Sequence, residues 1–183
     1  MLLRTTLLAI MLILASMAFA REQFPLQLGE LVLGKAPPPK YLSGESDGSP
    51  VEAFYVPAEV LPKMWQALAP GMPDVVELAT VTSYKGRVAQ VIFALHPDVK
   101  FEGVHRYFTT RFGKGQKTNV RTPPTGKSED CPPLYLMQHW SHGNSMLTVM
   151  WDKFSGVHVV LRDGRAREMD RHSEPDSATC VEF

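Results

Sequence analysis

Cysteine is scarce in this 183-residue chain, and neither sign of charge is in excess. The 19 basic residues balance the 19 acidic residues. Nucleic-acid binding and electrostatic contact with a membrane surface both depend on a basic patch. The composition therefore argues against both kinds of partner.

Long apolar runs are also lacking, except at the N-terminus. There, Arg4 precedes the apolar residues 6–17, and Ala18-Phe19-Ala20 follows them. A short basic start, an apolar centre and an Ala-x-Ala end are typical of a cleaved secretory signal, and the run is shorter than the roughly 20 residues that cross a bilayer. We expect residues 1–20 to be a signal peptide that leaves a periplasmic or secreted protein without membrane insertion.

The two cysteines, Cys131 and Cys180, both follow this signal. In an oxidising compartment such a pair is expected to form a disulfide. The bond would tie the polar C-terminal tail to the loop before a later strand, with a stabilisation of about 4 kcal/mol in the chain-entropy account. A catalytic dithiol is the alternative, but the C-x-x-C spacing that lowers a thiol pKa is missing.

The remaining residues, 21–183, have the length of one domain with a single core. Residues 75–84 and 87–95 are rich in β-branched and aromatic side chains, and only Lys85-Gly86 separates them, which predicts a hairpin. A helix is predicted next, with Asp98 as its cap and Gly113 as its end. Its apolar stripe consists of Phe101, Val104, Phe108 and Phe112.

Shorter elements surround this unit. We predict a strand at 51–56, a helix beginning near Leu61, and a meander of strands at 134–141, 146–152 and 157–162. Residues 24–34 suit either a short strand or one or two helical turns, and residues 165–171 suit either a short strand or a charged tail. The whole predicts a single α+β domain, with an antiparallel sheet of about five or more strands and two helices packed on it.

A register follows if Gly143-Asn144 is a two-residue turn. Met137 then lies opposite Met150, and Trp140 lies opposite Leu147. One face of the sheet carries Leu136, Trp140, Leu147, Val149 and Trp151. The other carries Met137, His139, Met146, Thr148 and Met150, and it continues through Val157, Val159 and Leu161 if the next hairpin keeps register.

Both faces are thus apolar, unlike an antiparallel sheet with one wet face. Either the helices and the N-terminal segment cover both sides, or the methionine-bearing face docks another protein, an apolar ligand or a second copy of the chain. The surface in question consists of Met137, Met150, Val159 and Leu161.

Chemically suggestive residues are few. The sequence contains no H-E-x-x-H or S-x-x-K motif. Thioether and imidazole ligands together suit copper, particularly Cu(I), so a metal site is a second hypothesis beside core packing. Its residues are Met137, His139, Met146 and Met150, with His158 nearby.

These features favour an exported soluble binding module of a bacterial envelope, acting through a protein partner as an inhibitor, immunity factor or accessory protein. A periplasmic protein that binds copper or another metal is one alternative. A small hydrolase with an unrecognised site is the other. No stretch carries the signature of a known family.

Overall fold

Seven strands form one antiparallel sheet in the computed structural model, which describes residues 24–41, 49–118, 136–152 and 155–173. Across the sheet their order is β3-β4-β5-β9-β8-β7-β6. The strands are β3 (Val51–Tyr55), β4 (Val76–Tyr84), β5 (Arg87–Leu95), β6 (Gln116–Thr118), β7 (Leu136–His142), β8 (Ser145–Asp152) and β9 (Gly156–Arg162).

A small hairpin of β1 (Gln27–Leu28) and β2 (Leu31–Val32) precedes this sheet, and a 3-10 turn, Pro39–Tyr41, follows the hairpin. Residues 24–34 therefore take the strand alternative of the sequence prediction. The helices are α1 (Leu61–Leu68), α2 (Phe101–Phe112) and α3 (Ala166–Ser173). The predicted single α+β domain is confirmed. None of the described helices is long and apolar enough to cross a membrane.

The central hairpin forms as predicted. Strands β4 and β5 are joined by Lys85 and Gly86, whose φ angles are 50° and 70°. Two consecutive residues with positive φ match the right-handed twist of the flanking strands, and glycine supplies the second without steric cost. The turn therefore sets the register in which Tyr84 pairs with Arg87.

Helices α1 and α2 contribute to the main core on one face of the sheet. Val104, Phe108 and Phe112 of α2 are buried there, and Gly113, with a φ of 80°, ends the helix as predicted. The expected cap is wrong: the residue before the helix is Lys100, and no side chain caps its first amides. Asp98 precedes that position by two residues and is therefore too early in the chain.

Helix α3 lies on the opposite face and replaces the strand or charged tail expected near residues 165–171. Asp163 starts it, because its carboxylate accepts the backbone N–H of Arg165 at 2.7 Å and its carbonyl accepts that of Ala166. Ala166 and Met169 share one helix face. They form a second buried cluster with Tyr84 and Ala89 at one end of the sheet.

The register of β7 with β8 agrees with the prediction, including Met137 opposite Met150 and His139 opposite Thr148. The next hairpin differs. Asp152 pairs with Gly156, so three residues connect the strands and odd-numbered residues of β9 face odd-numbered residues of β8. Val159 and Leu161 consequently lie on the main-core face, fully buried, and do not belong to the methionine-bearing surface.

The connection between α2 and β7 contains the short edge strand β6, which pairs with β7. Residues 119–135 of that connection lie outside the described ranges. So do residues 1–20, the predicted signal peptide, and both members of the predicted disulfide, Cys131 and Cys180.

Candidate functional site

Two neighbouring rows of side chains cross the sheet on the face opposite α1 and α2. Each row is built from directly paired residues. The first row is Met137, Met150, His158, Ala94 and Leu78. The second is His139, Thr148, Val160, Ile92, Thr80 and Tyr55. We call these eleven residues the neutral face.

The neutral face contains no Asp, Glu, Lys or Arg, although these residues make up 21% of the chain. The next row toward α3 does carry charge: Arg162 pairs with Met146 of β8 and contacts both carboxylate oxygens of Asp170 at 2.5 and 2.7 Å. The charge of Arg162 at this border is thus balanced by a neighbouring carboxylate.

Solvent reaches the neutral face most at its β3 and β4 side, where Tyr55 is 68% exposed and Leu78 is 39% exposed. Thr148 and Val160 in the middle are buried, and the other seven residues are half-buried. Helix α3 packs beyond the border, against Tyr84 and Ala89. The face is therefore a partly accessible surface of low polarity rather than a second closed core.

The four predicted metal ligands all project from this side of the sheet, but at different distances from one another. Met137 and Met150 are directly opposed, and His139 is the next residue on the same side of β7. Met146 lies beyond Thr148 and opposite Ser141. His158 lies directly opposite Met150 on β9, and so it is closer to the thioether pair than Met146 is.

Both histidines of the neutral face are held by hydrogen bonds. His139 Nε2 lies 2.9 Å from Oε1 of Gln116 on β6, and His158 Nε2 lies 2.9 Å from Oγ of Ser155. An amide oxygen only accepts, so the neutral His139 ring carries its proton on Nε2 and keeps a lone pair on Nδ1. Within the described residues, no three His, Cys, Asp or Glu side chains form a metal-binding group.

A polar cleft of about 720 Å³ lies at the other end of the sheet, between the loop after β2, the β7–β8 turn and the start of α3. Its described lining includes Arg87, Asp163, Arg165 and Glu168, but no histidine. Arg165 donates to Asp163 at 2.7 Å, and Arg87 donates to the Gly34 carbonyl at 3.2 Å. These contacts hold the loops together and supply no nucleophile with a base.

Residues 44–48, Gly-Glu-Ser-Asp-Gly, have the G-x-S-x-G spacing of a hydrolase nucleophile turn. That motif places its serine between a strand and a following helix. In this chain a 3-10 turn, Pro39–Tyr41, comes before, and strand β3 comes after. The flanking structure therefore does not match the motif, and residues 42–48 themselves lie outside the described ranges.

Comparison with protein-family models, with curated proteins and with solved structures finds no match to this chain. The neutral face is therefore the feature of the described residues from which a function can be inferred. Sequence reasoning found its β7 and β8 members but missed Tyr55, Leu78 and Ile92. The alternation of side chains within each strand could be predicted from the sequence. The pairing of β5 with β9, which joins the residues on β3, β4 and β5 to those on β7, β8 and β9, depends on long-range topology.

Proposed function

We propose that this chain is an exported binding module whose neutral face contacts a partner protein, in the manner of an inhibitor, immunity factor or envelope accessory protein. The observation that carries the proposal is the absence of charged residues from two rows of paired side chains, which cross five and six of the seven strands. The buried centres of protein interfaces are depleted of charge and enriched in aromatic residues and methionine.

Tyr55 is the strongest candidate anchor on this surface. It lies on the edge strand β3 with most of its side chain in solvent, so its ring is available to a partner. Tyrosine combines a large apolar ring with a hydroxyl that can form a hydrogen bond when the ring is buried in an interface. It is frequent among the residues that contribute most of the binding energy. Leu78 and Ile92 provide apolar surface on the adjoining strands.

The sheet also gives the surface a fixed shape before binding. Each member of the neutral face is held by backbone pairing to at least one neighbouring strand, and six strands span about 24 Å. A surface ordered in advance loses little conformational entropy on association. Affinity can therefore come from modest apolar burial without a folding step.

The test uses Tyr55→Asp with Lys63→Asp as the matched control. Lys63 is exposed on α1, which packs on the other side of the sheet, so the control introduces the same residue away from the neutral face. The partner captured by the wild-type protein from envelope extract is purified and titrated against each variant by calorimetry. Tyr55→Asp should weaken binding at least about tenfold, because it removes the aromatic anchor and places a charge on the contact surface.

Lys63→Asp should bind like the wild-type protein. Equal affinity of wild type and Tyr55→Asp would contradict the proposal. If the only species recovered is a second copy of this chain, sizing chromatography of both variants shows whether the neutral face forms that contact, and the partner-protein assignment is then replaced by self-association.

A further inference from the structure

We propose that the neutral face contains a Cu(I) site, in which Met137, Met150 and His158 supply the ligands and His139 supplies the adjoining donor. The site does not depend on the partner-binding function above. It differs from the set predicted from sequence, since His158 takes the place of Met146.

The strand register brings these side chains together. Met137, Met150 and His158 occupy one row on β7, β8 and β9, and each is paired directly with the next. Directly opposed residues in an antiparallel pair have Cβ atoms about 4.5–5.5 Å apart. Met150 is therefore the centre of the group, and methionine has enough rotatable bonds to turn its sulfur toward either neighbour.

The donor atoms select the metal. Thioether sulfur is a soft ligand that favours Cu(I), and imidazole binds copper well. Calcium and magnesium need oxygen ligands, chiefly carboxylates, and none of the eleven residues of the neutral face is Asp or Glu. A soft monovalent cation is thus the ion that these side chains fit.

Hydrogen bonds outside the row provide an independent indication. Metal-binding histidines usually donate their other ring N–H to a fixed acceptor, which sets the tautomer and the ring orientation. His139 donates Nε2–H to Gln116, which leaves Nδ1 as the donor atom for an ion. His158 Nε2 lies 2.9 Å from the hydroxyl of Ser155, the residue before β9, and this hydroxyl can either donate or accept the hydrogen bond. Each imidazole therefore has one nitrogen engaged and one remaining.

Met146 does not belong to this group. It is separated from Met150 by Thr148 on the same side of β8, and its β9 neighbour is the cationic side chain of Arg162. A guanidinium has no acceptor atom for a metal, so Met146 lacks a second donor on β9. Met146 thus offers a matched control: the same residue type, on the same strand and face, outside the proposed site.

The binding test is competition for Cu(I) against a chromogenic chelator in ascorbate, with the exported protein treated beforehand to alkylate any free thiol of Cys131 or Cys180. We expect one Cu(I) per chain. Met150→Leu and His158→Gln should each weaken binding by more than about tenfold, because each removes one donor of a small set. Met146→Leu should bind like the wild-type protein, since leucine conserves volume and removes only sulfur.

A second measurement locates the ion without a variant. Ag(I), a redox-stable probe for Cu(I) ligands, is titrated into protein labelled with 13C at the methionine methyl groups. The Met137 and Met150 signals should shift, while those of Met146 and the fully buried Met64 stay in place. Failure to compete for Cu(I), an equal loss in Met146→Leu, or shifts that spare Met137 and Met150 would each overturn the site.

Discussion

The indole N–H of Trp140 donates a hydrogen bond to the backbone carbonyl of Gly113 at 2.7 Å. Trp140 lies on the core face of β7, and Gly113 ends α2, so this bond fixes the helix end to the strand. The same strand presents Met137 and His139 on its other face. Packing on the core side therefore determines how the neutral face is positioned.

Phe108 is the side chain on which this packing depends most. It is fully buried, and its ring centroid lies 6.1 Å from that of Trp140 and 5.9 Å from that of Phe112. Phe108→Ala should lower the free energy of unfolding by about 3–5 kcal/mol in urea titration. Phe101→Ala, at a half-buried position of the same helix, should cost less. A Phe108→Ala loss below about 1 kcal/mol would contradict the described core.

Substitution by alanine should change the free energy of unfolding in opposite directions at two glycines of this chain. Gly103 lies inside α2 with open space around its Cα, so Gly103→Ala should raise the free energy of unfolding by about 0.5–1 kcal/mol. A Cβ at Gly115 would lie 2.7 Å from the His139 carbonyl oxygen, where backbone must move. Gly115→Ala should therefore be destabilising and should weaken hydrogen-exchange protection of the β6–β7 pair. Equal effects of the two substitutions would contradict this account.

Tyr41 gives a pH-dependent prediction. Its ring is buried, and its hydroxyl has no hydrogen-bond partner in the part of the chain that the structure describes. Burial raises the pKa of the Tyr41 phenol above its ordinary value. The folded state thus holds this proton more tightly than the unfolded chain does. The associated stability is complete below the ordinary pKa, about 10, and is lost as pH rises through the folded-state pKa.

Tyr41→Phe removes both effects. At neutral pH it should raise the free energy of unfolding by about 1–3 kcal/mol, because no buried hydroxyl is left unpaired. Its advantage over the wild-type protein should grow above about pH 10. Denaturant titrations at pH 7 and at pH 10.5 measure both quantities, and an advantage that shrinks with rising pH would show that the phenol ionises readily in the folded state.

The predicted disulfide between Cys131 and Cys180 remains to be tested, since both residues lie outside the described ranges. Mass spectrometry of unreduced peptides from the exported protein should show the two cysteines linked. Their Cα atoms should then be within about 7 Å of each other. Two free thiols in that material would exclude the bond.

The parts of this fold that follow from sequence are those set by short-range chemistry. Lys85-Gly86 and Gly143-Asn144 each predict a hairpin because a two-residue connection allows few turn types, and the register of β7 with β8 was predictable pair by pair. Helix α2 was predictable because Val104, Phe108 and Phe112 recur at helical spacing and Gly113 ends the series.

The sequence predictions were wrong where the length of a connection between strands decided the register. They were incomplete where the sheet depends on pairing between strands that are far apart in sequence. The sequence predicts that β9 begins at residue 157, after a turn that includes Gly156, but Gly156 is the first residue of the strand. The register of β9 against β8 therefore differs by one residue from the predicted register, and Val159 and Leu161 lie in the core. Helix α3 was missed because only Ala166 and Met169 form its buried face. The extent of the neutral face required the β5–β9 pairing, which no local pattern encodes.

Thermal denaturation of Met150→Asp, run beside titration with the captured partner, shows whether the neutral face is an accessible contact surface, with Met150→Leu as the control. Met150 is half-buried on the neutral face, so we predict a Tm close to that of the wild-type protein together with loss of partner binding. Met150→Leu should keep the partner while losing Cu(I), which separates the two proposals. A Met150→Asp variant that melts far below the wild-type protein would show that the face is closed core, because an unpaired charge would then be buried. One that keeps both its Tm and its partner would show that the neutral face is not the contact surface.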